Sequence, residues 1–188
     1  MEYLAKDFDE PVQTTVLCFP NYALEDHWND GKFQKIMSEE SFNYVIVQQG
    51  PSSQPPGKQM LVEYGAKIKS ICKEKGVSLA YFMVWPSKQY YFTFDRVIAN
   101  HKYAAKTNES ILFAVGIIWK KYEENKNKEN LYSYDNFHPS TAGSFLAALT
   151  IFHGLYPERN LLGLRFKRYK RWVNDEDSFN AMIRLISE

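Results

Sequence analysis

Short apolar runs alternate along the chain with longer stretches in which apolar side chains recur every three or four positions. The run Thr14-Thr15-Val16-Leu17-Cys18-Phe19, closed by the turn signal Pro20-Asn21, reads as a buried strand. Leu24 to Met37 follows as a helix with Leu24, Trp28, Phe33, Ile36 and Met37 on one side and Gly31 as the weak point in its middle. Tyr44-Val45-Ile46-Val47 is continuous and β-branched, as expected of a strand covered on both faces. After the polar turn Gln48 to Gly57, a helix over Met60 to Lys75 stops at Gly76, and a strand over Val77 to Trp85 stops at Pro86. Beyond the aromatic loop Gln89-Tyr90-Tyr91-Phe92 come a helix (Phe94 to Lys106), a strand (Ile111 to Val115) and a helix (Ile117 to Asn125). A solvated lysine- and asparagine-rich loop (Glu123 to Asn130), the turn Tyr134 to Pro139 and an apolar helix (Thr141 to Phe152) complete the pattern.

Strands separated by helices are too far apart for hairpins, so they must pair in parallel through helical crossovers. The expectation is an α/β three-layer sandwich, a parallel sheet flanked by helices. One domain spans residues 1–188, with 156–188 as a C-terminal extension. In such sheets reactive groups sit on loops at the carboxyl ends of strands, and Gln48 to Ser53 and Asp135 to His138 both fall on loops. The extension carries Arg165-Phe166-Lys167-Arg168-Tyr169-Lys170-Arg171-Trp172, then a short helix from Asp177 to Ile186. Its expected form is a packed surface element whose long basic side chains lie along apolar groups, balanced by nearby acids.

Composition narrows the function classes. The 188 residues carry a net charge of +1, so no global field steers the chain toward nucleic acid or membrane, and neither is an expected partner. Cys18 and Cys72 are the two cysteines and stand far apart, which suits buried thiols. No histidine pair has metal-ligand spacing with a carboxylate, so neither metal nor cofactor is expected. His27 is expected to pack against the sheet or face the cleft rim, His101 to be solvated or structural, and His153 to help a helix C-terminus. Met1 to Glu10 lacks the basic and apolar regions of a signal peptide. The expectation is a cytoplasmic protein if Met1 is the start, or an exported one if an N-terminal segment is lost.

The strongest chemical signal is Asp135-Asn136-Phe137-His138-Pro139-Ser140, followed by Gly143 and an alanine-containing apolar helix. An Asp three residues before a His in a turn can hold the imidazole tautomer and stabilise the imidazolium formed in acyl transfer. This segment resembles the last conserved block of the SGNH/GDSL hydrolases. Tyr44 to Ser53 resembles the third block of a bacterial branch, Ala23-Leu24-Glu25-Asp26-His27-Trp28 with Gly31 the stretch after its second block, and Phe82-Met83-Val84-Trp85-Pro86 also matches. The resemblance runs from about Thr14 to Leu155. It implies a flavodoxin-like SGNH fold and an esterase or O-acetyl hydrolase acting on a small-molecule or carbohydrate ester. His138 would be the general base and Asp135 its orienting carboxylate. Gln49, Gly50 and Ser52 would form the oxyanion hole, in one pocket with the imidazole.

The family's Gly-Asp-Ser or Gly-Asn-Ser block has no counterpart, so no nucleophile is identified and the chain as it stands is expected to be truncated or inactive. Two alignments remain open. In one, Val16 to Ala23 is the second block, and the chain starts downstream of the serine-bearing strand. In the other, Val16 to Tyr22 is a degenerate first block with Tyr22 in the serine's place. Either way the fold is expected to lack one N-terminal strand, and a homodimer covering the damaged sheet is conceivable. The alternative function is a non-catalytic carbohydrate- or small-molecule-binding protein derived from the same fold.

Overall fold

The computed structural model of the chain describes every residue except Lys126 and Glu188. The described residues divide into two compact units, residues 16–86 with 92–113, and residues 1–15 with 87–91 and 114–188.

The first unit is built on a three-stranded parallel sheet in the order β1 (Tyr44–Val47), β2 (Ser78–Phe82), β3 (Ile111–Phe113). Tyr44 to Val47 pair with Ser78 to Tyr81, and Ala80 to Phe82 with Ile111 to Phe113. Parallel neighbours cannot be joined by tight turns, and the crossovers are two long helices, α4 (Pro55–Glu74) and α5 (Phe94–Thr107). Pro55 opens α4, where a fixed φ and a missing N–H are no handicap. Gly76, at φ +68°, turns the chain out of α4, while the Val77 amide donates to Cys72 O at 2.8 Å.

Alternation along the strands sends Val45, Val47, Leu79, Tyr81 and Leu112 into a core with Leu24, Met37, Leu61, Ile68, Cys72, Ala104 and Ala105. The tightest point is where α4 meets β2. The Tyr81 hydroxyl donates to Leu61 O at 2.9 Å and accepts from Asn108 Nδ2 at 2.6 Å; the same amide donates to Val62 O at 3.0 Å. Burial pushes the Tyr81 phenol up to about 12. Gly65 makes room for this network, since a Cβ there would lie 1.6 Å from the hydroxyl oxygen and 2.7 Å from Asn108 Nδ2.

Three expectations are corrected in this unit. Thr14 to Phe19 forms no strand; Val16 is 80% exposed and Cys18 is exposed rather than buried. The segment runs from one compact unit to the other, and Glu2 holds its first residue by accepting from the Thr14 amide and hydroxyl at 3.0 and 2.7 Å. The helix expected over Leu24 to Met37 is two helices, α2 (Leu24–Asn29) and α3 (Lys32–Glu39), because Gly31 takes φ +73° between them. β1 is covered on one face only: Tyr44 and Ile46 remain 41% and 40% exposed, at the edge of the sheet. The result is an α/β fold with a parallel sheet one strand short of the four read from the sequence.

The second unit is helical: α1 (Glu2–Ala5), α6 (Val115–Glu124), α7 (Thr141–Leu155), α8 (Phe166–Tyr169) and α9 (Glu176–Ser187). α7 is apolar almost all round and packs against α1, α6 and α9. Residues 156–188 are built into this unit, because α9 lies on α6 and α7, and Phe145 of α7 meets the rings of Tyr169 and Phe179 at 5.2 and 5.7 Å.

Gly65→Ala should lower stability by about 3 kcal/mol, since the new methyl overpacks the site and displaces a buried hydrogen-bond network. In urea unfolding, the loss should be smaller when the substitution is made in a Tyr81→Phe background, where the clashing oxygen is gone.

Candidate active site

The turn that carries Asp135 and His138 is fastened at both ends. Tyr132 and Pro139 form an antiparallel bridge, with the Ser133 amide donating to His138 O at 2.8 Å and the Ser140 amide to Leu131 O at 2.8 Å. Ser140 caps α7: its hydroxyl accepts from the Gly143 amide at 3.0 Å and donates to Asn130 O at 2.6 Å. Gly143 is required beneath the cap, because a Cβ there would meet Leu131 O at 2.2 Å and the Trp119 ring at 2.7 Å. Asn136 takes φ +58°, a conformation that Asn tolerates better than most residues, and its carbonyl accepts from the Lys88 amide at 2.9 Å.

This frame brings the predicted pair together. Asp135 Oδ1 accepts from the Phe137 and His138 amides at 3.0 and 2.9 Å, while Oδ2 lies 2.6 Å from His138 Nδ1. A carboxylate only accepts, so Nδ1 carries the proton and Nε2 is the basic nitrogen. The bond from His138 Nδ1, then those from the Phe137 and His138 amides, hold the Asp135 carboxyl below its ordinary range. The pair stands in the open, with the His138 side chain 71% exposed. Tyr134, which precedes Asp135, is 97% exposed, and Tyr90, 53% exposed, lies two residues beyond Lys88, whose amide donates to Asn136 O.

The Gln49–Ser52 loop belongs to the other unit. Gln49 is buried, and both protons of its Nε2 are used, one within the loop to Ser52 Oγ at 2.7 Å and one to Gly57 O in the first turn of α4 at 3.1 Å. Its Oε1 accepts from the Leu24 amide at 3.4 Å. The Ser52 hydroxyl donates to Gly50 O at 3.0 Å, and its carbonyl accepts from Asn100 Nδ2 at 2.7 Å. These side chains therefore fasten the loop, and what the loop presents outward is the exposed backbone of Gly50. The sequence reading missed Gly57 and Asn100 as supports; the close packing of Gly57 on Ser52, where a Cβ would lie 3.0 Å from Ser52 Cβ, has no signature in local pattern.

The other histidines divide by burial. His101 is wholly buried, with Nδ1 2.8 Å from Val97 O, and desolvation holds its pKa below the ordinary value. His27 rests against the Tyr22 ring at 4.9 Å. Among the described residues, no three His, Cys, Asp or Glu side chains gather as a metal site, and no helix is long and apolar enough to cross a membrane.

A depressed carboxyl fixes the sign of one pH dependence. Whatever the Asp135–His138 pair adds to stability is complete above the unfolded carboxyl value of about 3.9 and is lost as pH falls through the lower folded value. Urea midpoints of the native chain and Asp135→Asn should differ near pH 6 and converge on acidification toward pH 2. Ser140→Ala should cost about 1 kcal/mol of stability through the lost cap, read in the same assay.

No protein-family model matches the chain, and no curated protein does. Among solved structures it is similar to a putative SGNH hydrolase from Slackia heliotrinireducens, with a TM-score of 0.68 and 19% sequence identity, covering 82% of this chain and 89% of that one. Identity at this level speaks for architecture alone. The chain has an SGNH hydrolase-like α/β fold.

Proposed function

We propose that the chain is an SGNH-type ester hydrolase scaffold for small polar or carbohydrate esters, O-acetyl groups among them, in which His138 is the general base and Asp135 its orienting carboxylate. One observation carries this reading: Asp135 Oδ2 lies 2.6 Å from His138 Nδ1, with the other carboxylate oxygen pinned by two backbone amides. A carboxylate so held cannot rotate away from the ring. It fixes the neutral ring in the tautomer whose Nε2 can accept a proton, and stabilises the imidazolium once that proton is taken.

The proton comes from the attacking hydroxyl. Residues 1–188 hold no Gly-Asp-Ser or Gly-Asn-Ser, and for this stretch we take water as the attacking group. Nε2 accepts its proton as the oxygen bonds to the acyl carbon, and returns that proton to the departing alkoxide. General-base assistance contributes about 10²–10⁴-fold. Removing the nucleophile from a serine triad costs on the order of 10⁶-fold, so turnover should be slow. The exposed rings of Tyr134, next to Asp135 in the chain, and of Tyr90, on the segment bonded to Asn136, suit the apolar faces of sugar rings, which supports the carbohydrate class.

The same rings favour a second reading, a carbohydrate-binding protein that performs no chemistry. The full chain should hydrolyse p-nitrophenyl acetate slowly, with no burst, and His138→Ala should lower that rate at least tenfold. A fluorophosphonate probe should label no serine by the water route. Acetylated oligosaccharide binding that survives His138→Ala, with no turnover by either protein, would instead establish the binding reading.

A further inference from the structure

Residues Arg165 to Arg171 place five cations in seven positions with no acid among them. In the structure Arg165, Lys167, Arg168, Lys170 and Arg171 are all exposed. Acids were expected to balance them, and among the described residues only Arg168 has such a partner, its Nη2 lying 2.5 Å from Asp7 Oδ1. The Arg171 guanidinium stacks over Trp172 at 3.7 Å and Tyr3 at 4.3 Å, and Lys170 lies 5.3 Å from the Phe166 ring centre. The next exposed acids along the chain, Glu176 and Asp177, open α9, where Asp177 faces Lys128 at 3.5 Å. Holding uncompensated like charges together is unfavourable unless an anionic surface is there to receive them.

We propose that this strip docks the protein on the surface of a bilayer rich in anionic lipid headgroups. Two observations select a lipid surface over single-stranded nucleic acid, the other polyanion a basic aromatic strip could serve. Base stacking needs free ring faces, and these rings already have close partners: Tyr3 has Arg171, Trp172 and Arg168, Trp172 has Arg171 and Tyr3, and Phe166 has Lys170 and Phe179. Just ahead of the strip Leu162 stands 64% exposed beside exposed Gly163. A phosphate backbone has no use for that apolar side chain, whereas the acyl boundary of a bilayer accepts it while the long cationic stems keep their heads among the phosphates. The attachment is peripheral and salt-sensitive.

Co-sedimentation of the full chain with large unilamellar vesicles tests this. Vesicles of phosphatidylglycerol and phosphatidylcholine should bind it at low salt and release it at high salt, and pure phosphatidylcholine should not bind. Lys167→Gln with Lys170→Gln should weaken binding roughly 30-fold, at about fivefold per cation. Leu162→Ala should weaken it while leaving the salt dependence unchanged; unaltered thermal melting of both variants shows that folding is intact. Equal binding to the neutral vesicles, no binding to either, or tighter binding to an RNA oligonucleotide than to the anionic vesicles would overturn the proposal.

Discussion

The geometry of the reactive pair depends on the hydroxyl of Ser140. It donates to the carbonyl of Asn130 and accepts from the amide of Gly143, so it ties the entrance of the 130–140 turn to the first turn of α7. α7 is a firm anchor, because an apolar helix buried against three others cannot slide without opening the core. The chain between these fixed ends has few conformations left. Asn136 absorbs the reversal at positive φ, and Asp135 and His138 are brought face to face as a consequence.

That dependence explains why the pair could be read from the sequence. An Asx turn, a proline, a serine cap and a glycine under the helix are local devices, each with its own residue signature, and they follow one another within nine positions from Asp135 to Gly143. The parallel sheet was legible for a similar reason: β-branched runs separated by helix-length stretches leave no other pairing. What failed depended on neighbours distant in sequence. Thr14 to Phe19 has the composition of a strand, but pairing needs a partner edge, and the segment is instead drawn toward Glu2 at its start. Cys18 is exposed for the same cause. Gln49 looked like a donor to a ligand from its place before a glycine; only tertiary structure shows its amide protons used by Ser52 and by the first turn of α4.

Exposure also bears on what the pair can accomplish. In water the attraction between a carboxylate and an imidazolium at hydrogen-bond distance is weak, because the solvent screens it. The same two groups beneath a bound acyl compound would lose that screening, and the orienting bond would then strengthen as charge develops on the ring. In the proposed hydrolase, a pair that is 71% open on the histidine side would need its substrate to complete the environment. The broad exposed rings of Tyr134 and Tyr90 are the groups in that unit best suited to hold such a cover in place, since each presents a flat apolar face at little entropic cost. By this argument binding and chemistry are coupled at the same turn: a ligand that stacks without covering Nε2 would be held but not hydrolysed.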